Sequence, residues 1–316
     1  MKDASPTAAW PELPYEAWKD TLTTLHLMTQ IVGKIRLALT PWSNHSWHVA
    51  LYVSGRGLTT SPMPAGGTTL QIDFDFIDHA LRFSCADGRT RWIGLGPRPI
   101  ADFYQEVRNV LQELGIEVRF HGAPNEIPQA IPFAEDRVHA SYDPVYAERF
   151  WRILLQADRL FKQFRSRYLG KASPVHFFWG SFDLAVTRFS GRPAPQHPGG
   201  APNCPNWVMQ EAYSHEVSSC GFWPGNDALP FPAFYSYAYP QPAGFEKAAI
   251  KPAAAHFDAA MGEFILPYDA LRTSSDPDRD LLDFMQASYE AAANAGQWDR
   301  AALERSTDFP PGYRAA

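Results

Sequence analysis

Residues 175–192 read VHFFWGSFDLAVTRFSGR, an aromatic and β-branched run that contains one histidine and one aspartate. We predict one strand from Val175 to Phe189, because such residues favour the pleated, half-buried surface of a sheet. Alternation places His176 on one face and Asp183 on the other, and both faces are otherwise mostly apolar. A strand that is apolar on both sides indicates a covered sheet, so both polar side chains need buried partners.

Two further segments complete this region of the chain. Residues 211–225 read EAYSHEVSSCGFWPG, and residues 233–242 read AFYSYAYPQP. We predict strands near Tyr213–Ser219 and Phe234–Tyr239, since both runs are rich in residues that favour sheets. The three segments are interpreted as the floor and rim of one ligand pocket.

The composition is that of a globular protein rather than a disordered one. Of 316 residues, 45% are hydrophobic and 14% are aromatic, which is enough for a large core or an aromatic pocket. The formal net charge is −6 with both signs scattered, so the basic footprint of a nucleic-acid-binding protein is missing. We therefore expect a small-molecule ligand and no nucleic-acid partner, and the sequence leaves the oligomeric state open.

Cysteine usage and the N-terminus predict a cytoplasmic location. The three cysteines form no CxxC pair, and their odd number does not suit a disulfide framework. The N-terminal residues lack a positive region followed by an apolar run, which a signal peptide needs. No window approaches the roughly 18 apolar residues of a membrane span, so we expect no membrane partner.

The N-terminal half, residues 1–120, predicts a helix, an antiparallel meander and a second helix. Apolar residues at helical spacing indicate a helix from Tyr15 to about Thr29, which Gly33 is expected to end. A second helix is predicted from the prolines before residue 100 to Leu114. The predicted strands are residues 34–40, 45–53, 69–76, 81–85 and 90–95, with 117–120 as a further candidate.

The C-terminal half, residues 142–316, repeats this order and is predicted to carry the pocket. Residues 121–141 contain three prolines and no apolar period, which indicates a linker between the halves. Helices are predicted from Pro144 to about Tyr168 and from Pro277 to about Asn294. A strand is predicted at Glu263–Leu266, and Gln297–Ala316 is predicted to form a tail on the surface. The predicted fold class is α+β, with two similar helix–meander–helix halves; one larger sheet shared by both halves fits the pattern equally well.

Long motifs spread along the chain resemble a bacterial family of unknown function. They include LHLMTQIVGKIRL (25–37), FDFIDHALRF (74–83), SPVHFFWGSFDLAVTRFSGR (173–192), AYSHEVSSCGFWPG (212–225) and YEAAANAGQWDR (289–300). The resemblance implies a bacterial, soluble protein. It implies no reaction, cofactor or catalytic residue, so the candidate site rests on the chemistry of the residues alone.

Titratable side chains in these segments form the candidate catalytic group. If residues 211–217 are extended, Glu211 and His215 share a face; if they are helical, the two lie four apart on one side. The candidate catalytic residues are His176, Asp183, Glu211, His215 and Glu216. Two imidazoles with nearby carboxylates suit either a general acid–base pair or a divalent transition metal held by His176, His215 and Glu211. The spacing matches no established zinc motif.

Aromatic residues are expected to form the walls of the pocket around these groups. Three alternating tyrosines in residues 233–242 offer apolar surface with polar tips, which suits a small organic ligand. The candidate ligand-binding residues are Trp179, Arg188, Tyr213, Trp223, Tyr235 and Tyr237. Arg188 is assigned to a carboxylate or phosphate of the ligand, with Lys34 and Arg36 as alternatives.

Three functions remain open at this point. We favour an enzyme acting on a small organic molecule, metal-assisted in one version, because clustered titratable groups in an aromatic lining are costly to keep for packing alone. The first alternative is a non-catalytic small-molecule-binding protein. The second is an oligomeric scaffold that uses exposed aromatic residues as its interface.

Overall fold

The computed structural model of the protein describes residues 9–305, which form seven α-helices and two antiparallel sheets of six strands each. The helices are α1 (Tyr15–Leu39), α2 (Ile100–Glu113), α3 (Pro144–Ser166), α4 (Asn206–Ala212), α5 (Tyr268–Arg272), α6 (Pro277–Ala295) and α7 (Arg300–Leu303). The strands of the first sheet are β1 (Tyr52–Ser54), β2 (Gly57–Thr59), β3 (Met63–Ala65), β4 (Thr68–Asp75), β5 (Ala80–Cys85) and β6 (Thr90–Gly94). Those of the second are β7 (His176–Phe178), β8 (Asp183–Pro193), β9 (His215–Trp223), β10 (Ala233–Tyr239), β11 (His256–Asp258) and β12 (Glu263–Pro267).

The α+β prediction is confirmed: both sheets are antiparallel, and in each half a long helix, α1 or α3, precedes the sheet and another, α2 or α6, follows it. The first sheet has the order β1-β2-β4-β5-β6 with β3 paired to β4, and the second has the order β11-β12-β10-β9-β8-β7. The sheets meet at one bridge, where Leu51 and Phe177 exchange two backbone hydrogen bonds of 2.9 and 2.7 Å. None of the helices among residues 9–305 has the length and apolar character that crossing a membrane requires.

One continuous hydrophobic core extends through both halves. Trp18 of α1 packs against Phe150 of α3 with ring centroids 5.3 Å apart, and Phe150 stacks on Phe182 at 5.2 Å. The segment between α2 and α3 contains no helix or strand, and hydrogen bonds connect it to α1. There the Gln30 side chain exchanges two 2.8 Å hydrogen bonds with the backbone of Asn125. The proposed bounds of the two halves and the linker stay predictions.

The strand predicted for residues 34–40 is wrong, because α1 continues through Gly33 to Leu39. Residues 27–36 are all buried, so no amphipathic period marks this part of the helix. Its residues are mostly good helix formers, and the helix ends before Thr40-Pro41, where proline disfavours the helical conformation of the preceding residue. Gly33 does not stop the helix; a Cβ atom there would overlap the indole ring of Trp179.

The single strand predicted for residues 175–189 is also wrong, since this stretch is the hairpin β7–β8. Phe178 pairs with Asp183, and Phe182 adopts a left-handed conformation with φ of 63° in the turn. Pairing of His176 with Ala185 then places His176 and Asp183 on the same face of the sheet. The turn residues Gly180 and Ser181 were the signal for this reversal.

Two other predicted strands differ from the structure. Residues 45–53 form a 3₁₀ turn at Asn44–Ser46 and join the sheet only from Leu51 onwards. Residues 117–120 have no regular structure. The predictions for β4, the β5–β6 hairpin, α2, α3, β10, β12 and α6 are confirmed within a few residues. The first part of the predicted tail from residue 297 contains α7, and residues 306–316 lie outside the described residues.

We expect the substitution Gly33→Ala to destabilise the protein by about 1–3 kcal/mol, because the added methyl group would overpack the Trp179 ring. Helix propensity alone would favour alanine by about 1 kcal/mol, so the two effects have opposite signs. Denaturant unfolding measures the difference. Gly67→Ala, where no atom lies within 4 Å of the new methyl group, is the control with little expected change. A stabilised Gly33→Ala variant would contradict the packing described for Trp179.

Candidate functional site

A cavity of about 980 Å³ lies between α1, the loop after it, the segment near residue 125 and the face of β7–β10. Its walls are largely aromatic. The aromatic side chains that line it include Trp42, Trp47, Phe178, Trp179, Trp207 and Trp223. The odd-numbered residues of β8 line the cavity from Asp183 to Phe189, and the alternation of the strand turns its even-numbered residues towards the other face.

Two glycines leave room for bulky cavity side chains to pack directly against the backbone. A Cβ atom at Gly180 would overlap the carboxyl group of Glu126, and one at Gly221 would overlap the ring of Tyr235. Tyr235 and Gly221 are paired across β10 and β9, so the ring crosses its neighbour strand at this point. Any larger residue at Gly180 or Gly221 would push these side chains into the cavity.

Asp183 is the buried centre of a carboxyl cluster on the cavity wall. The hydroxyl groups of Ser181 and Tyr235 both donate hydrogen bonds to it. Burial raises the pKa of Asp183, while these two hydrogen bonds act in the opposite direction. Burial and the nearby Asp183 charge also raise the pKa of Tyr235 well above its usual value, so Tyr235 remains a hydrogen-bond donor at any physiological pH.

Glu126 and Glu263 approach this cluster from two different segments and also line the cavity. The protein packed around Glu126, together with the Asp183 charge, raises the pKa of Glu126 to about 7. Burial, Asp183 and Asp258 raise the pKa of Glu263 to about 7. Among the described residues, no lysine, arginine or histidine forms an ion pair with these three carboxyl groups, so no such pair offsets the effect of Asp183 on either glutamate.

Two more tyrosines extend the polar side of the cavity. The hydroxyl groups of Tyr213 and Tyr237 share a 2.7 Å hydrogen bond, and the Tyr235 and Tyr237 rings stack with centroids 6.0 Å apart. Burial raises the pKa of Tyr213 to about 12, so this phenol is neutral near pH 7. The row of hydroxyl groups offers neutral donors and acceptors beside the carboxyl cluster.

His176 lies on the same wall inside an aromatic cage. Its ring is fully buried, with centroids 4.4 Å from Phe178 and 6.2 Å from Trp47. Neither ring nitrogen has a hydrogen-bond partner, and burial lowers the pKa of His176 to about 3. The imidazole is therefore neutral, with one donor and one acceptor left unpaired beside the cavity.

Lys34 of α1 contributes the buried amine of the cavity. The residue is 3% exposed, and its ammonium group donates a hydrogen bond to the Asn125 side-chain oxygen. The Nζ atom lies 5.7 Å from the centre of the Trp179 ring. Burial lowers the pKa of Lys34 to about 8, because the charged form is poorly solvated there.

Seven of the residues proposed from the sequence line this cavity, and four do not. Those in its lining are His176, Trp179, Asp183, Tyr213, Trp223, Tyr235 and Tyr237. Glu211 ends α4 outside the lining, where its carboxylate accepts hydrogen bonds from the indole of Trp42 and the backbone of His45. Glu216 forms a 2.6 Å ion pair with Arg192. Both acids therefore stabilise surrounding structure.

Arg188 and His215 also lie away from the expected positions. The Arg188 guanidinium is 1% exposed on the opposite face of β8, 3.5 Å from the centre of the Phe164 ring, because its even number turns it towards the core. This place does not fit the anion-holding role expected for it. His215 hydrogen-bonds Ser214 at 3.0 Å and is not in the lining.

The metal set predicted from the sequence is not assembled. His176 lies beside Ala185, which pairs with Gly221, and His215 lies six residues further along β9, roughly 20 Å away at the rise of a strand. Within residues 9–305, no group of three or more histidine, cysteine, aspartate or glutamate side chains is placed to hold a metal ion. The expectation that the two imidazoles meet in one hollow is therefore not met.

Sequence reasoning missed Glu126 and Glu263, and it gave Lys34 only as an alternative anion-binding residue. Glu126 lies in the proline-rich segment, where no periodic pattern exists, and has a left-handed φ of 60°. Glu263 opens β12, a short strand whose pattern indicates only burial. No local signal identifies either acid, because both reach the cavity through long-range packing.

We expect Glu126 and Glu263 to titrate near pH 7 in the folded protein, and Asp183→Asn to lower both pKa values by removing a nearby negative charge. Carbon-13 NMR of labelled glutamate carboxyl groups measures this, with Glu126→Gln and Glu263→Gln assigning the two signals. Two glutamates that titrate near the ordinary value of 4.5 would contradict the cluster.

The same shifts predict how stability depends on pH. Both pKa values are raised in the folded state, so the folded protein binds more protons than the unfolded chain between about pH 4.5 and 7. The wild type should therefore lose stability relative to the Glu126→Gln/Glu263→Gln variant as the pH rises through about 7. Parallel denaturant curves at pH 5 and 8 compare the two proteins, and an unchanged difference in unfolding free energy would contradict the raised pKa values.

Comparison with known proteins confirms the relationship indicated by the sequence motifs. No curated protein and no solved structure matches the chain. A family model described as a family of unknown function, DUF5996, matches residues 10–305, which is nearly the whole chain. The protein therefore belongs to the DUF5996 family.

Proposed function

We propose that the protein is an enzyme that binds a small organic molecule in the cavity and transfers a proton to or from it through a carboxyl group. The observation that carries this proposal is that Glu126 and Glu263 line one aromatic cavity with Asp183, where burial and the Asp183 charge raise both glutamate pKa values to about 7. A group with a pKa near the working pH is both partly ionised and a useful acid, which is the property that general acid–base catalysis needs.

Hydrogen bonding distinguishes the proposed roles of the three carboxyl groups. Asp183 accepts hydrogen bonds from two hydroxyl groups, which hold it in place and oppose the effect of burial on its pKa. In the described structure, the carboxyl groups of Glu126 and Glu263 form no side-chain hydrogen bond, which leaves them free to meet a ligand. We assign Asp183 to tuning and the two glutamates to proton transfer, following the pattern of acids whose environments separate their pKa values.

Neutral polar groups complete the arrangement. Tyr235 and the Tyr213–Tyr237 pair present hydroxyl groups near the acids, and His176 presents an unpaired neutral imidazole on the same wall. These groups supply orientation without adding charge, while the tryptophan rings supply apolar contact. A cavity with apolar walls and a few convergent polar groups is typical of small-molecule sites.

We expect the protein to accelerate the ring opening of 5-nitrobenzisoxazole, a planar probe that reports the removal of a carbon-bound proton. A glutamate takes the proton, the C–H electrons form the nitrile, the N–O bond breaks, and the coloured phenolate is followed by absorbance. The rate should rise with pH to a plateau above about 7, and Glu126→Gln/Glu263→Gln should lower it at least about tenfold.

Glu135→Gln is the matched control for this probe. Glu135 is exposed, lies in the same segment as Glu126 and is not in the cavity lining, so its loss should leave the rate unchanged. Circular dichroism confirms that each variant is folded. If the double variant opens the probe as fast as the wild type, the carboxyl groups do not transfer the proton and the proposal fails.

A second candidate is non-catalytic binding of an organic cation. It is favoured because no lysine, arginine or histidine within residues 9–305 pairs with these carboxyl groups, and a ligand ammonium group would relieve the repulsion between Asp183 and each glutamate. The rings of Trp179 and Trp223 add faces that attract cations. The oligomeric scaffold considered in the sequence analysis stays a prediction.

For this candidate we expect benzyltrimethylammonium to bind at least about tenfold more tightly at pH 8 than at pH 6, because the two glutamates lose their protons over this range. Asp183→Asn should weaken binding at both pH values. Isothermal titration calorimetry measures the affinity, with benzyl alcohol as the neutral comparison. Equal affinities for the cation and the neutral compound would rule out cation recognition.

A further inference from the structure

Lys34 is the cavity residue that the proton-transfer proposal leaves unexplained. It comes from the C-terminal part of α1, is 3% exposed and lines the cavity beside Trp179. Within residues 9–305, its Nζ atom forms one hydrogen bond, to the neutral side chain of Asn125, and no ion pair. A buried ammonium group without a carboxylate partner is unfavourable, and a shorter polar residue could hold Asn125 at lower cost.

The surroundings of Lys34 favour its neutral, nucleophilic form. Burial lowers its pKa to about 8, so about a quarter of the side chain is unprotonated at pH 7.5, whereas an ordinary lysine is almost fully protonated. A desolvated lysine in an apolar pocket is one of the recognised forms of an activated amine nucleophile. The hydrogen bond to Asn125 holds the amine at one position of the cavity wall.

We propose that Lys34 forms an imine with a small aldehyde or ketone bound in the cavity. Its Nζ attacks the carbonyl carbon and forms a C–N bond, and the carbonyl oxygen becomes a hydroxyl group. That C–O bond then breaks, and the oxygen leaves as water with the two protons that the amine has lost. No atom is oxidised or reduced in this step. The aromatic walls predict a carbonyl compound with an apolar body.

Glu126 is placed to handle the protons of this step. It follows Asn125 directly in the chain, and it packs on Gly180, the residue after the Trp179 that contacts Lys34. Lys34, Asn125 and Glu126 all line the same cavity. A carboxyl group with a pKa of about 7 can protonate the departing oxygen as water leaves.

Imine formation rests on the proposed function in one respect, since the cavity has to admit an organic molecule. The two are tested on the same sample of the full-length protein with different probes. Turnover of 5-nitrobenzisoxazole without a Lys34 adduct would overturn the lysine proposal alone. If neither probe reacts at the cavity, both proposals fail.

The test treats the protein with benzaldehyde and sodium cyanoborohydride at pH 7.5, which converts an imine into a stable benzylamine. Peptide mass spectrometry then gives the labelling rate of each lysine. Lys34 should be labelled at least about tenfold faster than Lys19 and Lys162, which are exposed and ion-paired and serve as internal references. Labelling of Lys34 no faster than these two would overturn the proposal.

Two variants test whether the fast labelling depends on Lys34 and on Glu126. Lys34→Arg retains a buried cation and a donor for Asn125 but forms no imine, so the fast-labelled peptide should disappear while labelling of Lys19 persists. Glu126→Gln should slow labelling of Lys34 without affecting Lys162. A fast adduct that survives in Lys34→Arg would show that another residue captures the aldehyde.

Discussion

One face of α1 holds two separate parts of the chain, the β7–β8 turn and the segment near Asn125, and both of them line the cavity. His26 bonds the carbonyl oxygen of Gly180 at 2.8 Å, Gln30 pairs with the backbone of Asn125, and Gly33 leaves room for the ring of Trp179. These positions lie three or four residues apart, so they form one stripe along the helix. The hairpin turn and the proline-rich segment are thereby fixed relative to both sheets.

Burial is the common cause of the chemistry in the cavity. The same poor solvation raises the pKa values of Glu126 and Glu263 and lowers those of Lys34 and His176. Acids and bases are thus shifted towards their neutral forms, because the surrounding protein solvates each charge less well than bulk water and, within residues 9–305, supplies no ion-pair partner. Such a cavity offers groups that can exchange protons or attack an electrophile, and it binds apolar molecules with little competition from fixed ion pairs.

The sequence predicted much of the fold and part of the site, for reasons that differ between residues. The alternation at Tyr235 and Tyr237 was reliable because β10 is flanked by antiparallel neighbours on both sides. The alternation at His176 and Asp183 failed because a four-residue turn reverses the chain between them, which returns both to one face. Pairing His215 with His176 needed the register of β8 against β9, and register is a long-range property.

The acids missed from the sequence illustrate the same limit. Glu126 has no periodic context, and its position depends on the contact between α1 and Asn125, which are far apart in sequence. Glu263 in β12 is separated from Asp183 in β8 by β10 and β9, so its effect on the same cavity depends on strand order. Local patterns assign a residue to a helix or strand, whereas convergence of charges depends on which elements become neighbours.

The N-terminal part of the chain, including α1, makes contacts with residues far away in sequence, and this has a consequence for folding during translation. His26 and its partner Gly180 are 154 residues apart, and Tyr268 bonds the carbonyl oxygen of Pro11 across 257 residues. At roughly 5–20 residues per second, the first of these partners is translated about 8–30 s after the helix. During that interval the face of α1 that carries His26 and Gly33 lacks its native partners in the β7–β8 turn, so the nascent chain exposes this face to chaperones.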